Sequence, residues 1–98
     1  NNFREKVYMS VKKIPQGRVA TYASVARVAG RPEAFRAVGT VLKQNTSLDI
    51  PCHRVVCSDG RIGGYNNLRG DKTFLLKKEG VGIINNSVYL KKFQCRFL

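Results

Sequence analysis

The turn at Gly30-Arg31-Pro32, set between two short runs with helical signals, most constrains what this chain can fold into. Upstream, Thr21 is placed as the N-cap of a helix over 22–29, and Gly30 fits its C′ position. Downstream, Pro32 suits a first turn. A helix is expected from about Pro32 to Gln44, with Ala37, Val38, Val41 and Leu42 available for packing. Two short helices joined this way form a helix-turn-helix candidate; an ordinary helical hairpin is the plain alternative.

Phe3, Val7, Val11 and Ile14 recur at helical spacing, so an amphipathic helix is expected over 2–13, stopped by Pro15-Gln16-Gly17. Past Asn45 a loop runs to Pro51. Val55-Val56 reads as a short buried strand. Ser58-Asp59-Gly60 is a turn signal and Gly63-Gly64 extends a loop. Asp71 can cap a fourth helix through about Lys78, with Phe74 and Leu75 facing inward and Gly80 ending it. Ile83-Ile84 and Val88-Tyr89-Leu90 flank Asn85-Asn86-Ser87, a hairpin pattern with a three-residue connection. The expected fold is therefore mainly α. It is one winged-helix-like domain over residues 1–98, with a helix-turn-helix and a small β-hairpin.

Charge narrows the partner. Eighteen Lys and Arg against six Asp and Glu give a formal charge of +12. That excess favours phosphate backbones through counterion release. The basic residues run from Arg4 to Arg96, so no charged tail accounts for them. No apolar stretch approaches the roughly 18 residues that span a membrane, and Arg4, Glu5 and Lys6 interrupt any leader-like run. Three cysteines, Cys52, Cys57 and Cys95, make an odd set. With no secretion signal they point to reduced thiols and an intracellular setting, cytoplasm or nucleoid, or nucleus in a eukaryote. No second CxxC or HxxxH pair completes a tetrahedral metal site around Cys52, His53 and Cys57, so no metal is expected. The chain starts at Asn1, as a processed product or a segment of something longer would.

The chemistry concentrates in Pro51-Cys52-His53-Arg54-Val55-Val56. A thiol becomes a strong nucleophile as the thiolate, and a neighbouring imidazole can supply that form. Taken alone an adjacent Cys-His pair is weak; most are unreactive. This hexapeptide, however, resembles the active-site signature of the O6-alkylguanine-DNA alkyltransferases. Thr21-Tyr22, Ala26, Gly30-Arg31-Pro32, Arg36-Ala37-Val38-Gly39, Asn45, Gly64-Tyr65, Lys72 and Glu79-Gly80 fall in that family's order, so the resemblance covers about residues 3 to 81.

The resemblance implies direct-reversal repair. An alkyl group on O6 of guanine in double-stranded DNA would pass irreversibly to Cys52, without metal or organic cofactor. His53 would take the thiol proton through a bridging water, and Glu79 would hold and charge-stabilise the imidazole. Tyr65 would donate toward the leaving guanine, with Lys72 supporting charge in the same region and at the DNA. The nucleotide must leave the duplex to be reached. Arg36 would fill its place in the stack and Tyr22 would press on its phosphate. Ala34, Ala37 and Gly39 would permit close approach to the minor groove. Asn45 would bridge the helix end and the cysteine loop through backbone hydrogen bonds. Val55, with Gly63, Gly64, Tyr65 and Asn66, would line the base pocket, and Arg54 would act structurally behind it. A monomer is expected without DNA.

Three departures from the family pattern stand out. Thr46, not proline, follows Asn45, in a hinge to Cys52 that looks one residue short. Phe35 is bulkier than the small residue common there, and either packs inward or meets DNA. The amino-terminal domain of full-length members is not represented. Two other functions compete. One is an alkyltransferase-like protein that binds and flips O6-alkylguanine without repair, whose relatives commonly replace the cysteine with tryptophan or alanine; Cys52 argues against it. The other is a winged-helix regulator, which leaves Cys52, His53, Glu79 and Tyr65 unexplained.

Overall fold

The computed structural model describes residues 2–45, 49–62 and 72–95. The fold is mainly helical with small strands. Helix α1 (Phe3–Lys12) starts at Asn2, whose side chain accepts from the Glu5 N–H at 2.9 Å. Its apolar stripe buries Val7 and Val11, followed by Ile14 just past the helix end. Strand β1 (Ala20–Thr21) leads directly into α2 (Tyr22–Val28), where Thr21 Oγ1 caps the helix by accepting from the Ser24 N–H at 3.1 Å.

Helix α2 closes as a Schellman motif. The Gly30 N–H donates to the Arg27 carbonyl at 3.0 Å and the Arg31 N–H to that of Ala26 at 2.9 Å, with Gly30 at φ +93°. This closure moves the start of the next helix. Arg31 is committed backward and Pro32 has no N–H, so the chain makes one more turn, Ala34 N–H to Arg31 carbonyl at 2.9 Å, before α3 (Phe35–Lys43) begins. The expected start at Pro32 was three residues too early. Val38 and Leu42 of α3 are buried, Val41 is half-buried and Ala37 is exposed. With α2 and the Gly30 turn, α3 forms the helix-turn-helix.

Residues Cys52–Arg54 make one 3-10 turn and run into β2 (Val55–Val56). Strand β2 pairs in parallel with β1, Ala20 opposite Val55 and Thr21 opposite Val56. The buried strand was expected; its partner was not. Successive strand residues face opposite ways. Accordingly Ala20 and Val55 join the core of α1, α2 and α3, whereas Val19 and Val56 join a second cluster with Ile62, Leu76, Val81 and Val88.

Helix α4 (Lys72–Lys78) buries Lys72 and Leu76, while Phe74 is 63% exposed. The expected inward face therefore fails at Phe74, while Leu75 is half-buried. Lys72, Leu76 and Glu79 stand at i, i+4 and i+7, one stripe of a helix, and the contacts of Glu79 turn that stripe inward. The expected cap, Asp71, lies outside the described residues. A second Schellman closure ends α4, Gly80 N–H to Lys77 carbonyl and Val81 N–H to Leu76 carbonyl, both at 3.0 Å.

Strands β3 (Ile83–Ile84) and β4 (Ser87–Val88) form the hairpin. Its connection is two residues, not three. Asn85 and Asn86 both take positive φ (52° and 61°), the geometry of a type I′ turn, so Ser87 pairs with Ile84. Leu90 leaves the strand and opens the short helix α5 (Leu90–Phe93). The hairpin is bound to the loop after β2, with the Val88 N–H donating to the Gly60 carbonyl at 2.8 Å. Among the described residues no helix is long and apolar enough to cross a membrane.

Candidate active site

The 3-10 turn before β2 turns Cys52 toward Asn45 and turns His53 and Arg54 toward Glu79. Cys52 is 2% exposed and His53 is fully buried. Asn45, one residue past the C-cap of α3, donates from Nδ2 to Cys52 Sγ at 3.2 Å. The Cys52 thiol in turn lies 3.7 Å from the Leu42 carbonyl oxygen. Asn45 thus joins the end of α3, through its N–H to the Leu42 carbonyl at 3.1 Å, to the cysteine sulfur through its side chain. A donor aimed at sulfur favours the thiolate.

His53 points the other way. Its Nε2–H donates to Glu79 Oε2 at 2.9 Å. Glu79 occupies the C-cap of α4 because the Schellman closure at Gly80 stops the helix there. Arg54 completes the anchorage, Nε to Oε1 at 2.9 Å and Nη2 to Oε2 at 2.7 Å, while its Nη1 donates to the Ile14 carbonyl at 2.9 Å. One guanidinium therefore ties α4 to the end of α1 through the residue next to His53. Burial pushes the Glu79 carboxyl up, but hydrogen bonds from Arg54 and His53, and their charges, bring it below its ordinary value. An ionised Glu79 accepts only. The neutral ring then carries its proton on Nε2 and its lone pair on Nδ1, which is also buried.

Tyr22 starts α2 immediately after its cap. Its hydroxyl accepts from Lys72 Nζ at 3.3 Å, and the ammonium stands 5.5 Å from the ring centroid. Lys72, expected at the leaving base and the DNA, is 2% exposed and lies behind Tyr22. Burial pushes its ammonium down to about 8, partly offset by the nearby Cys57 and Cys52 thiols. On α3, a Cβ added at Gly39 would stand 3.8 Å from the Tyr22 ring, so this ring packs almost on helix backbone.

Arg36 and Ala37 are exposed on α3, and Ala34 and Gly39 are half-buried. Val55 is fully buried. A cavity of about 250 Å³ is lined by Tyr22, Ala23, Phe35, Cys57 and Ser58. Cys52, His53, Asn45 and Glu79 are thus brought together, Tyr22 and Lys72 form a second contact beside them, and Arg36 stands apart on the outer face of α3. Tyr65, Gly64 and Asn66 lie outside the described residues, as does Thr46. Sequence reading assigned Arg54 a structural place behind the site without its two-oxygen grip on Glu79. It also missed Cys57 and Ser58 as neighbours of Tyr22. The one available signal was their position just beyond the buried Val55-Val56 strand.

The family model of the DNA-binding domain of 6-O-methylguanine DNA methyltransferase matches residues 2–81. The methylated-DNA–protein-cysteine methyltransferase of Methanosarcina acetivorans is 40% identical over 79 residues, covering 80% of this chain and 51% of that protein. The Homo sapiens protein of the same name is 41% identical over 78 residues, covering 79% of this chain and 38% of that protein. The chain thus spans about half or less of the length of these curated relatives. Among solved structures, S. pombe Atl1 in complex with damaged DNA containing O6-carboxymethylguanine matches with a TM-score of 0.85 at 32% identity, covering 96% of this chain and 94% of that one. By its sequence, helix-turn-helix fold and site, the chain belongs to the family of the 6-O-methylguanine DNA methyltransferase DNA-binding domain.

Proposed function

We propose that this chain binds double-stranded DNA and takes an alkyl group from O6 of a flipped guanine onto Cys52. The observation that carries the reading is the contact of His53 Nε2 with a doubly anchored Glu79 at 2.9 Å, next to a cysteine whose sulfur receives the Asn45 amide at 3.2 Å. Such a set suits one task, generating a thiolate at a fixed place.

In the step proposed, the Cys52 proton passes to His53, directly or through water, and Glu79 stabilises the imidazolium. Sγ attacks the alkyl carbon, the S–C bond forms and the C–O6 bond breaks. The electron pair leaves with guanine, which takes up a proton on release. The thioether on Cys52 has no route back to thiol in this site, so each molecule reacts once. Tyr22 would press on the target phosphate and Arg36 would fill the vacated stack, with Ala34, Ala37 and Gly39 toward the minor groove and Val55 behind the base. Lys72 would act from behind Tyr22 as a buried charge near the thiols. Tyr65, Gly64 and Asn66 keep the roles that the family pattern implies at the base.

A second reading is favoured by one observation. The S. pombe Atl1 complex with O6-carboxymethylguanine DNA covers nearly all of both chains. Binding of the lesion without transfer is therefore the alternative. Incubating the chain with an O6-methylguanine duplex and weighing the intact protein separates the two. Transfer adds the mass of one methylene to the intact protein, and Cys52→Ala should show no gain. Tight, lesion-selective binding with no mass gain supports the second reading, and no lesion preference removes both.

A further inference from the structure

The first turn of α3 carries an aromatic ring that the proposed transfer leaves unused. Phe35 is 46% exposed, whereas the helix buries Val38 and Leu42. The ring stands beside the exposed Arg36, whose guanidinium carbon is 6.0 Å from its centroid. Phe35 also lines the cavity of about 250 Å³ with Tyr22, Ala23, Cys57 and Ser58. An uncharged ring at such a place offers a second stacking face beside Arg36. Aromatic faces stack on any base, and apolar side chains inserted at a base step hold unstacked DNA open. The formal charge of +12 brings phosphates to this surface.

We propose that Phe35 is a second DNA-contacting residue of α3, stacking on a base left exposed when the target nucleotide flips out. Phe35 and Arg36 then act as a paired wedge, Arg36 in the vacated place and the Phe35 ring on a neighbouring base. The proposal rests on the reading of the chain as an O6-alkylguanine-binding domain.

The chain contains no tryptophan, so Phe35→Trp introduces a single reporter. Its emission is expected to be quenched as an O6-methylguanine duplex is added. Phe35→Ala is expected to weaken duplex binding about tenfold, within the range of one base–aromatic stack. The slope of log affinity against log salt should stay that of the native chain, because stacking releases no counterions. Phe35→Trp should restore the affinity. The ratio of duplex transfer to transfer from free O6-alkylguanine should fall in Phe35→Ala. Emission unchanged at saturating duplex, or Phe35→Ala binding as tightly as the native chain, overturns the wedge. Whether the native chain gains a methyl from the same duplex is scored separately, so a failure of the wedge and a failure of the transfer reading give different results.

Discussion

Arg54 holds both carboxylate oxygens of Glu79, at 2.9 and 2.7 Å, and the oxygen it holds more closely is the one that His53 also uses. The side chains of Arg54 and Glu79 are 15% and 12% exposed, so the pair is largely shielded from water. Removing Arg54 strips the largely buried Glu79 carboxylate of two hydrogen bonds and its neutralising charge, leaving it the His53 contact. Arg54→Ala is expected to cost about 3 kcal/mol in a urea titration, the scale for breaking a buried pair. It should also slow transfer, because Glu79 is then free to rotate away from His53. Native stability together with a native rate in Arg54→Ala would remove the anchoring role.

The same pair sets an acid limb. Folding holds the Glu79 carboxyl below its ordinary 4.5. A depressed folded value means that the pair's contribution to stability is complete above the unfolded value and is lost as pH falls through the folded one. The stability difference between native and Glu79→Gln should therefore be constant at neutral pH and shrink on acidification below about 4.5. Urea midpoints of both proteins across that range measure it. A difference that grows toward low pH contradicts the assignment.

Lys72 has the opposite sign. Burial lowers its ammonium to about 8 from 10.5. Between these values the unfolded chain binds more protons than the folded one, so stability rises with pH across that window. Below about 8 the penalty for the buried charge is constant. In Lys72→Met the rise should disappear, measured as Tm against pH relative to native. Transfer by Lys72→Met should be slower at neutral pH, since a positive neighbour of Cys52 is lost. An unchanged alkaline rise would place the titrating group elsewhere.

Gly60 joins the loop after β2 to the hairpin. It lies at φ +94°, and a Cβ there would stand 2.5 Å from the Val88 carbonyl oxygen. Gly60→Ala combines a disfavoured backbone with a clash against backbone, so a loss of about 2 kcal/mol or more is expected. Circular dichroism melts of the two proteins check it, and a loss under half that figure would mean that the hairpin yields easily.

Capping and closure were legible because their chemistry is local. Thr21, Gly30 and Gly80 each announce a helix end through one residue's own preferences. The reacting pair was legible for a different reason, an unusual hexapeptide in a familiar order. What escaped was nonlocal. Two-residue strands carry no periodicity, so the pairing of Ala20-Thr21 with Val55-Val56 left no trace. The burial of Lys72 beside Tyr22 was not legible, because the Tyr22 hydroxyl lies fifty positions away. Phe74 read as core because apolarity was weighed without the Glu79 contacts that rotate α4. The start of α3 slipped because Arg31 was already spent in closing α2.

The parallel pair β1–β2 meters the site like the odd and even divisions of a ruler. Val55 belongs to one core and Val56 to the other, and Cys52, His53 and Arg54 are counted back from them with no slack. A slip of one residue would send each valine into the wrong compartment and carry each side chain of the preceding 3-10 turn about a third of a turn away from its partner. With the two valines fixed by their pairing and their cores, an insertion or deletion between Cys52 and Val55 would move the cysteine away from Asn45. The spacing that makes the hexapeptide recognisable is therefore the distance between two hydrophobic interiors, written in residues.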